Sequence, residues 1–177
     1  MWAARRGPGG PPHEFGSQVH ALLARTLAPD QASAEALDLA NNFHRSPLGQ
    51  RLATADRVER EQSFLISVDG RLVSGQIDLW FTDAAGETIL VDYKTGETSE
   101  YYALQLNLYA LAIPPPVHHA FLYLLRPNLA VEVPLDPAVA RAKVEELYQA
   151  QSRLDFPLHE GPHCRHCPYF RGLCPAR

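Results

Sequence analysis

Two aspartates and a lysine carry the first chemistry legible in this 177-residue chain. Ile89-Leu90-Val91-Asp92-Tyr93-Lys94 is a strand-forming run, and the alternation of a strand turns Leu90, Asp92 and Lys94 to one face and Ile89, Val91 and Tyr93 to the other. Of sixteen lysines and arginines only two are lysine, Lys94 and Lys143, so a residue chosen for charge alone would have been arginine. A lysine ammonium can lose its proton or hold a water when buried, which a guanidinium cannot do.

The segment before it supplies the second aspartate. From Arg71 to Phe81, Val73, Gly75, Ile77, Leu79 and Phe81 alternate with Leu72, Ser74, Gln76, Asp78 and Trp80, and Asp83-Ala84-Ala85-Gly86 leads to the Asp92 strand. A three-residue hairpin loop with Gly86 left-handed sets Asp78 opposite Asp92. Opposed Cβ atoms lie roughly 5 Å apart, which is costly for two carboxylates unless a cation sits between them. Upstream, Asp69-Gly70 predicts a two-residue turn between Phe64–Val68 and Arg71–Val73. Its register sets Ile66 against Val73 and brings a third carboxylate, Glu61, opposite Asp78.

Plainer readings stand beside these. Asp78, Asp92 and Lys94 could form a surface ion pair on a solvated sheet face, and Glu61 could be an ordinary charged strand residue.

Composition bounds the rest. With 46% apolar and 20% charged residues the chain has material for one globular core. No apolar run approaches the roughly 18 residues of a membrane span, and the start lacks the hydrophobic segment of a signal peptide. A cytoplasmic location is expected. A net charge of −4 argues only weakly against nucleic acid, because a site for divalent metal must itself be acidic. The three cysteines, Cys164, Cys167 and Cys174, all fall in the last fourteen residues, a distribution unlike a secreted disulfide scaffold. The Pro/Gly-rich residues 1–13 read as a flexible linker, 14–156 as the core domain and 157–177 as a cysteine-rich tail packed on it.

Helical spacing of Phe15, Val19, Leu22, Leu23 and Leu27 predicts a first helix with His20 at the edge of its apolar stripe. Two more helices are expected before residue 57, entered from Pro29-Asp30 and from Ser46-Pro47. After the three strands, Glu100–Leu111 reads as a helix with Leu104, Leu108 and Leu111 buried and Tyr101, Gln105 and Tyr109 on a neighbouring polar-aromatic stripe. Strands at Val117–Arg126 and Leu129–Leu135 follow, then a helix capped by Asp136-Pro137 and running to about Leu154.

Four segments in this order, Gly16-x-x-x-His20, Gly75-Gln76-Ile77-Asp78, Val91-Asp92-Tyr93-Lys94-Thr95 and Gln105-x-x-x-Tyr109, resemble the PD-(D/E)XK nuclease superfamily. Within it they are similar to the RecB-like nucleases carried by helicase-nucleases of the RecB and AddA kind. The resemblance implies an α/β fold with a restriction-endonuclease-like core: a central mixed sheet flanked by helices, with an antiparallel hairpin carrying the active site. It also implies a Mg²⁺- or Mn²⁺-dependent DNA nuclease, an exonuclease in preference to an endonuclease, acting on single strands or ends in DNA end processing and recombinational repair. His20, Asp78, Asp92 and the backbone carbonyl of Tyr93 would match the metal ligands, Lys94 the catalytic lysine, and Gln105 with Tyr109 the adjoining helix motif. Where the family often has arginine before the Ile-Asp pair, this chain has Gln76.

The tail, C-x2-C-x6-C over Cys164, Cys167 and Cys174, resembles the cysteines of iron-sulfur members of the group, which add a fourth cysteine upstream that this chain lacks. A 4Fe-4S cluster with an unidentified fourth ligand, zinc held with His163 or His166, and a metal-free remnant remain open. With no P-loop signature in the chain, a helicase motor must act in cis from a longer protein or in trans from a partner. The alternatives are a free-standing exonuclease of the CRISPR-adaptation kind and a catalytically silent DNA-binding module.

Overall fold

A computed structural model describes residues 11–96 and 101–155 and, beyond them, residues 160, 161, 164, 167, 169, 172 and 174. Five strands form one mixed sheet in the order β1-β2-β3-β4-β5: Arg57–Val68, Arg71–Thr82, Thr88–Lys94, His119–Leu124 and Leu129–Glu132. All neighbours are antiparallel except β3 and β4, which run parallel and need the crossover supplied by a helix, Tyr101–Ala112. In chain order the helices are α1 (Pro11–Leu23), α2 (Ala34–Arg45), α3 (Pro47–Ala53), α4 (Tyr101–Ala112) and α5 (Pro137–Arg153). Helix α1 starts within the segment expected to be a linker, of which residues 1–10 lie outside the described residues. None of the described helices is long and apolar enough to cross a membrane.

Each sheet face buries its own core. On one, Val19 and Leu23 of α1, Leu39 and Phe43 of α2 and Leu52 of α3 pack on Leu79, Phe81, Ile89, Val91 and Tyr93. On the other, Leu106, Tyr109 and Ile113 pack on Ile77, Trp80, Leu90, Ala120 and Leu122. Each fully buried aliphatic or aromatic side chain contributes about 1.5–3 kcal/mol of transfer free energy.

Both predicted turns form: Asp69 and Gly70 have φ of 50° and 81°, and Gly86 has φ of 82°. Asp83 pins the second hairpin by accepting the Ala85 and Glu87 N–H groups at 3.0 Å, while Arg51 of α3 reaches its other oxygen at 2.6 Å. The registers run as expected, Ile66 to Val73 and Leu79 to Val91.

Three local expectations are corrected. The second helix starts at Ala34, capped by the Ser33 hydroxyl, whereas Pro29–Gln31 forms only a 3-10 turn. Helix α4 buries Leu106, Asn107 and Tyr109 in place of Leu104, Leu108 and Leu111; leucines on every side left periodicity unable to choose a face. Strand β2 does not keep one alternation throughout, since Ile77 joins Trp80 in one core while Leu79 and Phe81 join the other. The ladder breaks between those residues, where Glu61 opposite Asp78 takes a left-handed backbone with φ of 48°.

Candidate active site

The break in the β1–β2 ladder is where the candidate ligands gather. At Glu61 the chain leaves extended conformation, and Gln76 holds the bend by donating from Nε2 to the Glu61 carbonyl at 3.1 Å. The glutamine found where the family favours arginine therefore has a backbone partner. Across the break, Asp78 leaves the β2–β3 ladder and its Oδ2 accepts the Tyr93 N–H at 2.9 Å. Helix α1 brings His20 to the same oxygen, Nδ1 lying 3.6 Å away. One turn earlier in α1, Gly16 packs against the end of β3: a Cβ there would stand 3.2 Å from the Thr95 hydroxyl oxygen.

His20, Glu61 and Asp78 each present one ligand atom within 4.8 Å of the others, and among the described residues they are the group so placed. Burial lowers the His20 pKa, but the hydrogen bond and charge of Asp78 and the charges of Glu61 and Asp92 outweigh it, so the imidazole sits above its ordinary value.

Asp92 stands on the next strand in a different setting. Its side chain is 1% exposed, and the Lys94 ammonium lies 2.7 Å from Oδ2 as an ion pair. That ammonium is the one donor at Oδ2 among the described residues, and Oδ1 has none there. Burial, followed by the charge of Asp78, pushes its pKa up to about 6 against the pull of Lys94 and His20. A buried carboxylate short of donors, near the Asp78 carboxylate and the His20 imidazole, fits a hard divalent cation, which takes oxygen ligands and keeps part of its own water.

On the far side of Lys94, its Nζ reaches Gln105 Oε1 at 3.3 Å, and Gln105 Nε2 donates to the Tyr109 hydroxyl at 2.5 Å. Burial keeps that phenol protonated, its pKa raised to about 12. The geometry thus joins Asp92, Lys94, Gln105 and Tyr109 in one chain of contacts. It adds a residue that the sequence pattern did not single out: Lys94 Nζ lies 4.3 Å from the centre of the Tyr102 ring. The available signal was its place at the start of α4, one helical turn before Gln105 and on the same side.

The cysteines stand apart. Cys164, Cys167 and Cys174 are half-buried and free, Cys164 Sγ accepts the Gly161 N–H at 3.4 Å, and the three sulfurs do not lie close enough to share a single metal ion. His163 and His166 lie outside those residues.

Among curated proteins the chain is similar to an ATP-dependent helicase/nuclease subunit of Alkaliphilus metalliredigens, 29% identical over 143 residues, covering 65% of this chain and 12% of that one. The corresponding protein of Desulforamulus reducens is 30% identical over 150 residues, 69% of this chain and 12% of the relative. That of Lysinibacillus sphaericus is 34% identical over 91 residues, 41% of this chain and 7% of the relative. The chain thus spans about a tenth of the length of these proteins. A solved structure, the crystal structure of SSO0001, superposes with a TM-score of 0.51 at 19% identity, covering 93% of this chain and 79% of that one, a likeness of fold. The sequence pattern of the PD-(D/E)XK nuclease superfamily matches residues 4–175, and with a mixed sheet flanked by helices in the restriction-endonuclease-like arrangement this chain belongs to that superfamily.

Proposed function

We propose that the chain hydrolyses DNA phosphodiesters with Mg²⁺ or Mn²⁺, as the nuclease part of a helicase-nuclease that trims DNA ends for recombinational repair in the cytoplasm. The observation that carries this reading is the buried Asp92 carboxylate, held among the described residues only by the Lys94 ammonium and near Asp78 and His20 of the ligand group. Asp78 and Asp92 would hold the cation, with His20, the Tyr93 carbonyl and Glu61 completing its protein ligands. When bound, it would polarise the phosphoryl oxygens and offset charge on the leaving oxygen.

The chain's own residues position the reacting groups. Lys94, held by Asp92, Gln105 and the Tyr102 ring, orients the attacking water and offsets charge that grows on the phosphate. Tyr109 accepts from the Gln105 amide, which leaves the amide oxygen turned to Lys94. The motor would come from the rest of a longer chain or from a partner, by similarity to the helicase/nuclease relatives; single strands and ends are then the natural substrate, with exonucleolytic cleavage. The cysteine tail belongs to the proposal as a 4Fe-4S site, which iron analysis of anaerobically purified protein tests.

Labelled linear and circular DNA, single- and double-stranded, incubated with Mg²⁺, Mn²⁺ or EDTA, tests the central reading. Metal-dependent loss of linear DNA is expected. A folded protein that neither cleaves nor binds Mn²⁺ would overturn it.

A further inference from the structure

Arg126, just past the end of β4, touches three other elements beside the candidate site. Its Nε donates to the Thr95 carbonyl at the end of β3 at 3.1 Å, and its Nη1 donates to Glu35 Oε1 in the first turn of α2 at 2.7 Å. Its guanidinium carbon lies 5.0 Å from the centre of the Phe15 ring of α1. Thr95 and Glu35 are 31 and 91 residues away in sequence, so chain connectivity imposes neither contact.

These elements carry the groups of the site. Thr95 directly follows Lys94. The parallel β3–β4 pairing closes with the Leu125 N–H on the Lys94 carbonyl at 2.9 Å, and the next carbonyl along, that of Thr95, receives the Arg126 side chain. The arginine thus adds one bond to the ladder where the backbone leaves it. On the other side, Phe15 and Gly16 lie in the turn of α1 before His20, with Gly16 close against the Thr95 side chain. A shift of α1 along the end of β3 therefore moves His20 relative to Lys94.

Charge attraction alone does not account for this arrangement. Arg126 and Glu35 are 55% and 58% exposed, and solvent leaves such a pair little net energy. The bond to a backbone carbonyl and the ring beneath the guanidinium fix geometry instead, through the planar fork that only arginine has. We propose that Arg126 is a positioning residue for the nuclease site, a clasp that holds the end of β3, next to Lys94, against the helix that presents His20. This role rests on the nuclease reading and deepens it, because a small displacement of a reacting group costs rate before it costs affinity.

The competing role for an exposed arginine here is a contact with a substrate phosphate, and Glu35 separates the two. Steady-state cleavage of a labelled single-stranded thymidine hexamer with Mg²⁺ compares the full chain with Arg126→Ala, Arg126→Lys, Glu35→Gln and the double variant Arg126→Ala/Glu35→Gln. Arg126→Ala should lower kcat about tenfold with KM within about twofold. Arg126→Lys should recover part of kcat, since an ammonium replaces one contact but lacks the fork. Glu35→Gln should lower kcat less, and adding it to Arg126→Ala should cost nothing more, because both act through one contact. A raised KM with a shallower salt dependence in Arg126→Ala, together with a lower KM in Glu35→Gln, would make Arg126 a phosphate contact and overturn the positioning role. So would a kcat loss that follows a fall in the unfolding midpoint and is not recovered by lysine. Amide exchange reads the clasp without activity: in metal-free protein the Leu125 N–H should exchange faster in Arg126→Ala than in wild type, and equal protection overturns the clasp. A wild type that cleaves nothing overturns the nuclease reading, and the exchange result still decides the clasp.

Discussion

Asp78 and Asp92 face each other across one hairpin and are held in opposite ways. The Asp78 carboxylate is 13% exposed, accepts the Tyr93 N–H at 2.9 Å and has His20 at 3.6 Å, so the fold itself fixes its position and supports its charge. Asp92 is 1% exposed and, among the described residues, has only the Lys94 ammonium as a donor, with no backbone N–H on it. One carboxylate is satisfied by backbone, the other is left for a ligand. The same residue type in matching register positions therefore gives an anchor and a reserve, and the difference lies in the local ladder break that frees Asp78 to turn toward β3.

The largest effects should come from removing either side of this arrangement. Asp78→Asn, Asp92→Asn and Lys94→Ala should each lower metal-dependent cleavage by roughly 10²–10⁴-fold. Mn²⁺ titration separates them: Asp92→Asn should abolish binding and Lys94→Ala should retain it. Full Mn²⁺ affinity in Asp92→Asn would remove Asp92 from the ligand set and end the contrast between the two aspartates.

Stability should separate the two aspartates, moving opposite to activity for Asp92 alone. The folded-state pKa of Asp92 is about 6, above the ordinary aspartate value of 3.8, so the folded chain holds this proton more tightly than the unfolded one. Its favourable contribution is complete below the unfolded value and is lost as pH rises through about 6. In EDTA at about pH 8, Asp92→Asn should therefore raise stability by about 1–3 kcal/mol and the unfolding midpoint by several degrees, an advantage that disappears below about pH 4. Asp78→Asn should instead lower stability by about 1 kcal/mol, since an amide is a weaker acceptor for the Tyr93 N–H and loses the His20 charge. Equal shifts in the two variants would mean that the pair shares one environment.

Much of this geometry was legible in the sequence because hairpin chemistry is local. Asp69-Gly70 and Gly86 set both registers, and registers alone place Glu61, Asp78 and Asp92 near one another. What stayed hidden depends on contacts between elements. The left-handed backbone of Glu61 is supported by Gln76, fifteen residues away, and no propensity foretells a glutamate at positive φ. The rotation of α4 was illegible for a different reason, since an all-round apolar helix takes its orientation from the sheet beneath it. Tyr102 stayed hidden with that rotation.

Tyr102 gives a smaller test of the reserve side. If its ring face holds the Lys94 ammonium, Tyr102→Phe should keep kcat within about twofold, whereas Tyr102→Leu should lower kcat about three- to tenfold with little change in KM, in line with roughly 0.5–2 kcal/mol for a cation–π contact. Loss in Phe and Leu alike would assign the effect to the hydroxyl, and a change confined to KM would make Tyr102 a substrate contact.

The smallest expected effect sharpens the anchor side, where Glu61 adds a carboxylate at a strained position. A non-glycine residue in the left-handed region costs of order 1 kcal/mol, so the chain carries strain at φ of 48° to present this side chain. Glu61→Gly should relieve the strain and raise stability by up to about 1 kcal/mol while weakening Mn²⁺ binding a few-fold. Gln76→Ala, which frees the Glu61 carbonyl but keeps the carboxylate, should weaken Mn²⁺ binding less and give no gain in stability. If Glu61→Gly leaves metal affinity unchanged, Glu61 is not a ligand, and the bend matters only for turning Asp78 toward Tyr93.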